Sequence, residues 1–169
     1  MPKPLIANLP YPSLELISED CYSLRVISPA YASSTSELNT ILQYVYHSFH
    51  LNAKGFNHFA EDLQSIAVAE MMHLKLLGET ILALGALPVF AQNPSTAFNF
   101  YSAKFVSYST SPVCMIEDDI RGEIQAIKGY KKMLALLKSE RVKAVIYRII
   151  LDEELHLEKL KEILFALKG

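Results

Sequence analysis

Two short patterns, Glu70-Met71-Met72-His73 and Glu153-Glu154-Leu155-His156, constrain this chain more than anything else in it. Residues three apart share a helix face, so each Glu and His project the same way from a helix. Ala67 and Leu74 flank the first pair, and Ile150 and Leu157 the second, at helical spacing that predicts a buried face. Each pair has a further Glu upstream: Glu37 lies 33 residues before Glu70, and Glu123 lies 30 before Glu153. Seven residues after these come Tyr44 and Tyr130. Seven residues are about two helical turns, so each Tyr falls on the face of its Glu. The two halves of the chain therefore read as a degenerate repeat of Glu, Tyr and Glu-x-x-His.

Four buried carboxylates repel one another and are costly to desolvate. Two divalent cations would balance them, and carboxylate oxygen with imidazole nitrogen suits iron, manganese or zinc. Glu37, Glu70, His73, Glu123, Glu153 and His156 are thus the candidate ligands for two metal ions per chain. Iron is the first expectation, manganese the next and zinc a substitute, with the di-metal centre itself as the catalytic group. Tyr44 and Tyr130 are candidate donors to the ligand carboxylates, and Asp152 a candidate partner for a ligand histidine. A lone Glu-x-x-His is usually a pair of solvated side chains. Matched half-sites on four helices in the right order outweigh that reading.

Proline, glycine and serine punctuate the chain into those helices. Residues 1–28, with prolines at 2, 4, 10 and 12, read as an extended arm with a short strand near Tyr22–Ile27. Residues 29–169 read as the helical domain. Ser28-Pro29 and the possible capping box Ser34-x-x-Glu37 compete as the start of its first helix. Gly55 ends that helix, Asn57 can cap the second, and Gly85 and Pro88 end it near Leu84. Ser111-Pro112 opens the third and Ser139 caps the fourth. Residues 87–111 form a long connection without helical period. The predicted fold is all-α, two short-loop helical hairpins joined by a long crossover between helices two and three.

Composition narrows the function classes. The chain has 169 residues, 51% hydrophobic and 20% charged, enough for one domain with a core. A net charge of −2 with no basic cluster argues against nucleic acid. No uncharged apolar run is long enough for a membrane span, and the first twenty residues lack the apolar core of a secretory signal. Cys21 and Cys114 form no CxxC pair and suit free thiols in the cytoplasm. A mean hydropathy of +0.19 suggests apolar surface hidden in a homo-oligomer, a dimer being the simplest. His47, His50 and His58 read as solvated, and Met71 as packing rather than a haem ligand. Glu117, Asp118 and Asp119 open helix three, where acids favour the dipole.

The motifs resemble a known family. Glu37-Leu38-Asn39-Thr40-Ile41-Leu42-Gln43-Tyr44 is similar to the first metal-binding helix of bacterioferritins. Glu70-Met71-x-His73, followed by Ile81-Leu82-x-Leu84-Gly85-x-Leu87-Pro88, resembles their second, and Asp152-Glu153-Glu154-x-His156 their fourth. From about Tyr11 the chain resembles bacterial ferritin-like proteins of the bacterioferritin and rubrerythrin-like kind, which are related to manganese catalases. The resemblance implies an up-down-down-up ferritin-like four-helix bundle. It also implies that Glu37 and Glu123 are terminal carboxylates, that Glu70 and Glu153 bridge the metals, and that His73 and His156 each close one. Bacterioferritins carry an acid where this chain has Ala69, so one histidine lacks an acidic neighbour and the metals need not be equivalent.

Three functions follow. The first is a di-iron or di-manganese oxidoreductase acting on oxygen or peroxide, or oxidising iron, with an unidentified electron donor. The second is manganese catalase-like disproportionation of peroxide. The third is a non-enzymatic metal-binding or assembly protein, to which the aromatic-rich segment 96–108 would contribute.

Overall fold

The computed structural model describes residues 2–92 and 99–169. Residues 2–20 carry no regular secondary structure, and Asp20 then caps a helix, α1, Cys21–Ala32, accepting the Tyr22 amide at 2.9 Å. The extended arm is therefore shorter than expected, and the strand near Tyr22–Ile27 is helical. The reason lies in the burial pattern. Leu24, Ile27 and Tyr31 follow helical spacing and are all buried. Pro29, read as a helix start, lies inside α1. It is exposed, as is Arg25, whose carbonyl would otherwise accept from residue 29.

The first bundle helix, α2, Glu37–Ala53, is capped by Ser36, which accepts the Asn39 amide. The Ser34–Glu37 box does not form, and Glu37 is the first helical residue. Gly55, at φ +85°, provides the left-handed turn into α3, Asn57–Ala83. Asn57 is the first residue of α3 and not its cap, which is Phe56 with no side-chain bond. Gly85, at φ +91°, follows the end of α3. Pro112 opens α4, Pro112–Leu136, at the position where its missing N–H costs nothing. Ser139 caps α5, Glu140–Lys168, as expected.

Cross-helix bonds fix the topology. Tyr130 of α4 donates to Glu37 of α2, and Tyr44 of α2 donates to Glu123 of α4, so these helices are antiparallel. His73 of α3 meets Asp152 of α5 while His156 meets Glu70, so α3 and α5 are antiparallel too. With short loops inside each hairpin, the order is up-down-down-up. Helix α1 lies across one end, touching α2, α3 and α4.

The crossover leaves α3 near Tyr31, whose hydroxyl donates to the Pro88 carbonyl at 3.0 Å. Ala91 and Phe100 form an antiparallel bridge. The intervening residues 93–98, including part of the aromatic-rich segment 96–108, lie outside the described residues. After a 3-10 turn, Ala103–Phe105, the Ser107 amide donates to Gln43 of α2 at 2.9 Å. Among the described residues no helix is long and apolar enough to cross a membrane.

Two apolar cores result. One gathers Ile27, Leu77, Ile81, Val145 and Ile149 at the α1 end. The other gathers Leu51, Leu63, Ile66, Met115 and Leu160 at the opposite end. Tyr130 belongs to the first and Tyr44 to the second, and the charged residues of the repeat lie between them.

Candidate metal centre

Between the two cores the helices bring together all six candidate ligands, each at most 3% exposed. Their donor atoms form two groups within metal-ligating reach: Glu37, Glu70, His73 and Glu153, and Glu70, Glu123, Glu153 and His156. Glu70 and Glu153 belong to both, as bridging carboxylates would. Each histidine faces the interior through Nδ1. His73 Nδ1 lies 3.0 Å from Glu70 and 3.3 Å from Glu153, and His156 Nδ1 lies 2.9 Å from Glu70.

The residues fit a pair of cations on an internal observation. Glu70 Oε1, Glu123 Oε2, Glu153 Oε1 and His156 Nδ1 are buried side-chain atoms that make no well-aligned hydrogen bond, although Glu70 Oε1 and His156 Nδ1 lie only 2.9 Å apart. Buried polar atoms are rarely left so. Here they share one small space, and all are hard or borderline donors suited to iron or manganese.

Without metal, protons take over part of the charge balance. Burial, reinforced by the charges of Glu70 and Glu153, pushes the Glu37 carboxyl well above its usual range. Burial and the charge of Glu153 do the same to Glu123. Burial opposes ionisation of Glu70 as well, but hydrogen bonding to Glu37 and the charge of His156 pull it well below the ordinary value. Glu153 is also lowered, through Glu123 and both histidines, against burial and the charge of Glu70. Burial disfavours charge on the histidines, yet the surrounding acids win. His73 is raised well above its ordinary value and His156 to about 9.

Tyr44, Tyr130 and Asp152 all hydrogen-bond to members of this cluster. Tyr44 and Tyr130 donate across the bundle, each to the Glu of the other half-site. Asp152 receives His73 Nε2 at 2.9 Å, serving the histidine of the other helix and not its own neighbour. The acid absent at Ala69 is replaced by backbone: His156 Nε2 donates to the Leu5 carbonyl at 2.9 Å. Met71 is 42% exposed and belongs to neither ligand group.

Sequence reasoning missed two features. His47 is fully buried rather than solvated. Its Nδ1 lies 2.9 Å from Asp119 and its Nε2 3.1 Å from the Ser107 carbonyl. The signal was its position between Tyr44 and Leu51, at spacings of three and four on the core stripe of α2. Asp119 is correspondingly a buried partner, and because α4 starts at Pro112, none of Glu117, Asp118 and Asp119 lies in its first turn, where the dipole would favour an acid. His58, by contrast, is exposed as expected. The second missed feature is Arg148, buried four residues before Asp152 and donating to it at 2.6 Å. Beside this layer a polar cleft of about 250 Å³ opens between α2 and α4, lined by Asn39, Gln43, Tyr44, Asp119 and Gly122 among others.

A match to the ferritin-like domain model covers residues 32–169, most of the chain and all six candidate ligands. The chain belongs to the ferritin-like family. Among solved structures, this ferritin-like chain resembles KatB, a manganese catalase from Anabaena, at a TM-score of 0.80 and 20% identity. That likeness covers 96% of this chain and 80% of KatB. Mycobacterium tuberculosis bacterioferritin BfrA superposes at 0.74 with 23% identity, covering 89% of each chain. Desulfovibrio desulfuricans bacterioferritin, solved for its diiron site in different catalytic states, gives 0.73 and 25%, covering 86% of this chain and 80% of that one. No curated protein sequence matches the chain.

Proposed function

We propose that this ferritin-like chain is a di-metal oxidoreductase that holds two iron or manganese ions and acts on oxygen or peroxide. The carrying observation is the pair of buried four-residue donor groups that share Glu70 and Glu153. Glu37 and Glu123 would each serve one ion, Glu70 and Glu153 both, and His73 and His156 one each. When bound, such a pair of ions supplies electron transfer and Lewis acidity. The chain's own residues do the rest. The apolar cores keep bulk water out, which strengthens every charge interaction in the layer. Tyr44 and Tyr130 hold the terminal carboxylates in place and can pass a proton to or from them. The cleft of about 250 Å³ lined by Tyr44 has the volume to hold water, oxygen or peroxide. The two exposed, unpaired cysteines suit a reducing cytoplasm. The exposed apolar side chains Phe49 and Met71 on the outer α2–α3 surface would suit a homodimer contact.

A second reading, peroxide disproportionation with manganese, is favoured by the likeness to KatB over nearly the whole chain. Elemental analysis of protein purified from its native host, followed by assay of the iron- and manganese-loaded forms, tests both. Oxygen evolution from peroxide by the manganese form alone selects the catalase reading. Oxygen or peroxide consumption by the iron(II) form selects the oxidase reading. Two tightly held ions with no turnover of either oxidant would sink the enzymatic proposal and leave a metal-holding role.

A further inference from the structure

The arm that precedes the bundle lies directly over the outer side of the metal layer. Its Leu5 amide donates to the Ser65 carbonyl of α3 at 3.2 Å, and its Leu5 carbonyl accepts from His156. Two residues on, the Ala7 amide donates to Asp152 at 2.7 Å, and the Tyr11 hydroxyl donates to the other Asp152 oxygen at 2.7 Å. Arg148 closes the arrangement. It bonds the Ala7 and Leu9 carbonyls, each at 3.0 Å, and its guanidinium lies 4.3 Å from the Tyr11 ring centre. Asp152 in turn receives His73. Both histidines are therefore oriented from the arm, one by a backbone carbonyl and one through a carboxylate that the arm holds.

We propose that residues 5–11 are positioning residues of the di-metal centre, and that they support its two ions unequally. The inference rests on the di-metal reading. His156 has a single neutral partner for its outward nitrogen, and that partner is carried by a segment without regular secondary structure. His73 has a charged partner on α5 with further anchors in Ala7, Tyr11 and Arg148. A bond from Nε2 outward leaves Nδ1 as the ligating atom, so loss of the outer partner frees the ring to turn or to change tautomer. Displacing the start of the arm thus loosens the ion at Glu70, Glu123, Glu153 and His156, while the ion at Glu37, Glu70, His73 and Glu153 stays.

The test compares the full chain with one lacking residues 2–6, which removes the Leu5 carbonyl and keeps Ala7, Tyr11 and Arg148. Manganese(II) titration by calorimetry, with paramagnetic resonance to count ions, should show two sites in the full chain. In the shortened chain one site should keep its affinity and the other should weaken about 10–100-fold, the usual effect of losing an outer partner. The retained site doubles as the check on folding. Tyr11→Phe should give the opposite pattern, weakening only the His73 ion. Equal affinities for both ions in the full and shortened chains would overturn the inference, whereas no binding by the full chain would overturn the di-metal reading instead. A metal-independent measurement decides it even if the shortened chain does not fold. In the metal-free full chain the His156 Nε2 proton should exchange slowly with solvent, as followed by nitrogen-15 resonance. Rapid exchange there would also overturn it.

Discussion

At the scale of single residues, chemically identical groups in this layer have opposite roles. Glu37 and Glu123 are driven toward the neutral form by burial, while Glu70 and Glu153 are held ionised by the neighbours they share. A neutral isostere should therefore suit the metal-free fold at Glu37. Gln there can still accept from Tyr130 and donate to Glu70. Glu37→Gln is expected to leave the thermal midpoint of the metal-free protein unchanged or raised, while abolishing one of two manganese sites in titration. A large loss of metal-free stability would contradict this. Tyr130→Phe should behave differently. It leaves a buried Glu37 oxygen without its donor, which costs about 1–3 kcal/mol, and the metal-free midpoint should fall.

At the scale of elements, α4 carries Glu123 and Tyr130 of one half-site and also two glycines, Gly122 and Gly129. A Cβ at Gly129 would meet nothing within 4 Å. Gly129→Ala should therefore stabilise the protein by roughly 0.5–1 kcal/mol, measured as a rise in the urea midpoint at constant slope. An unchanged or lower midpoint would show that the site needs the flexibility of a glycine. Helix α4 was also legible in advance, because Ser111-Pro112 and the Glu123–Tyr130 spacing are local signals. The same holds for α3 and α5 and for the six candidate ligands, which repeat one spacing twice. Helix α1 was not legible. Its proline imitates a helix start, and its six residues from Tyr22 pass for a strand until Tyr31 extends the apolar stripe. The arm's role at His156 was illegible for a different reason: a backbone carbonyl leaves no mark in a sequence. His47 was within reach of helical spacing, but its partner Asp119 lies 72 residues away.

At the scale of the whole molecule, metal, protons and stability are one linked equilibrium. Protons on Glu37, Glu123, His73 and His156 occupy the charge balance that two cations would otherwise provide. Metal uptake near neutral pH must displace them, so calorimetry in buffers of different ionisation enthalpy should detect proton release. Affinity should also weaken as pH falls. The stability of the metal-free form has the opposite trend. His156 is raised from 6.5 to about 9, so its favourable interactions are complete below about pH 6.5 and are lost as pH rises through 9. Raised carboxyls act in the same direction, since each must ionise in a buried, negatively charged layer as pH rises. The metal-free thermal midpoint should therefore drop between pH 6.5 and 9.5. In the metal-loaded form those histidine nitrogens carry no titrating proton, and bound ions add stability by mass action. Its midpoint should stay nearly level across the same window, so the gap between the two forms should widen with pH. A gap that closes as pH rises would mean that cations and protons do not compete for this layer, and that the six residues are a self-satisfied polar network.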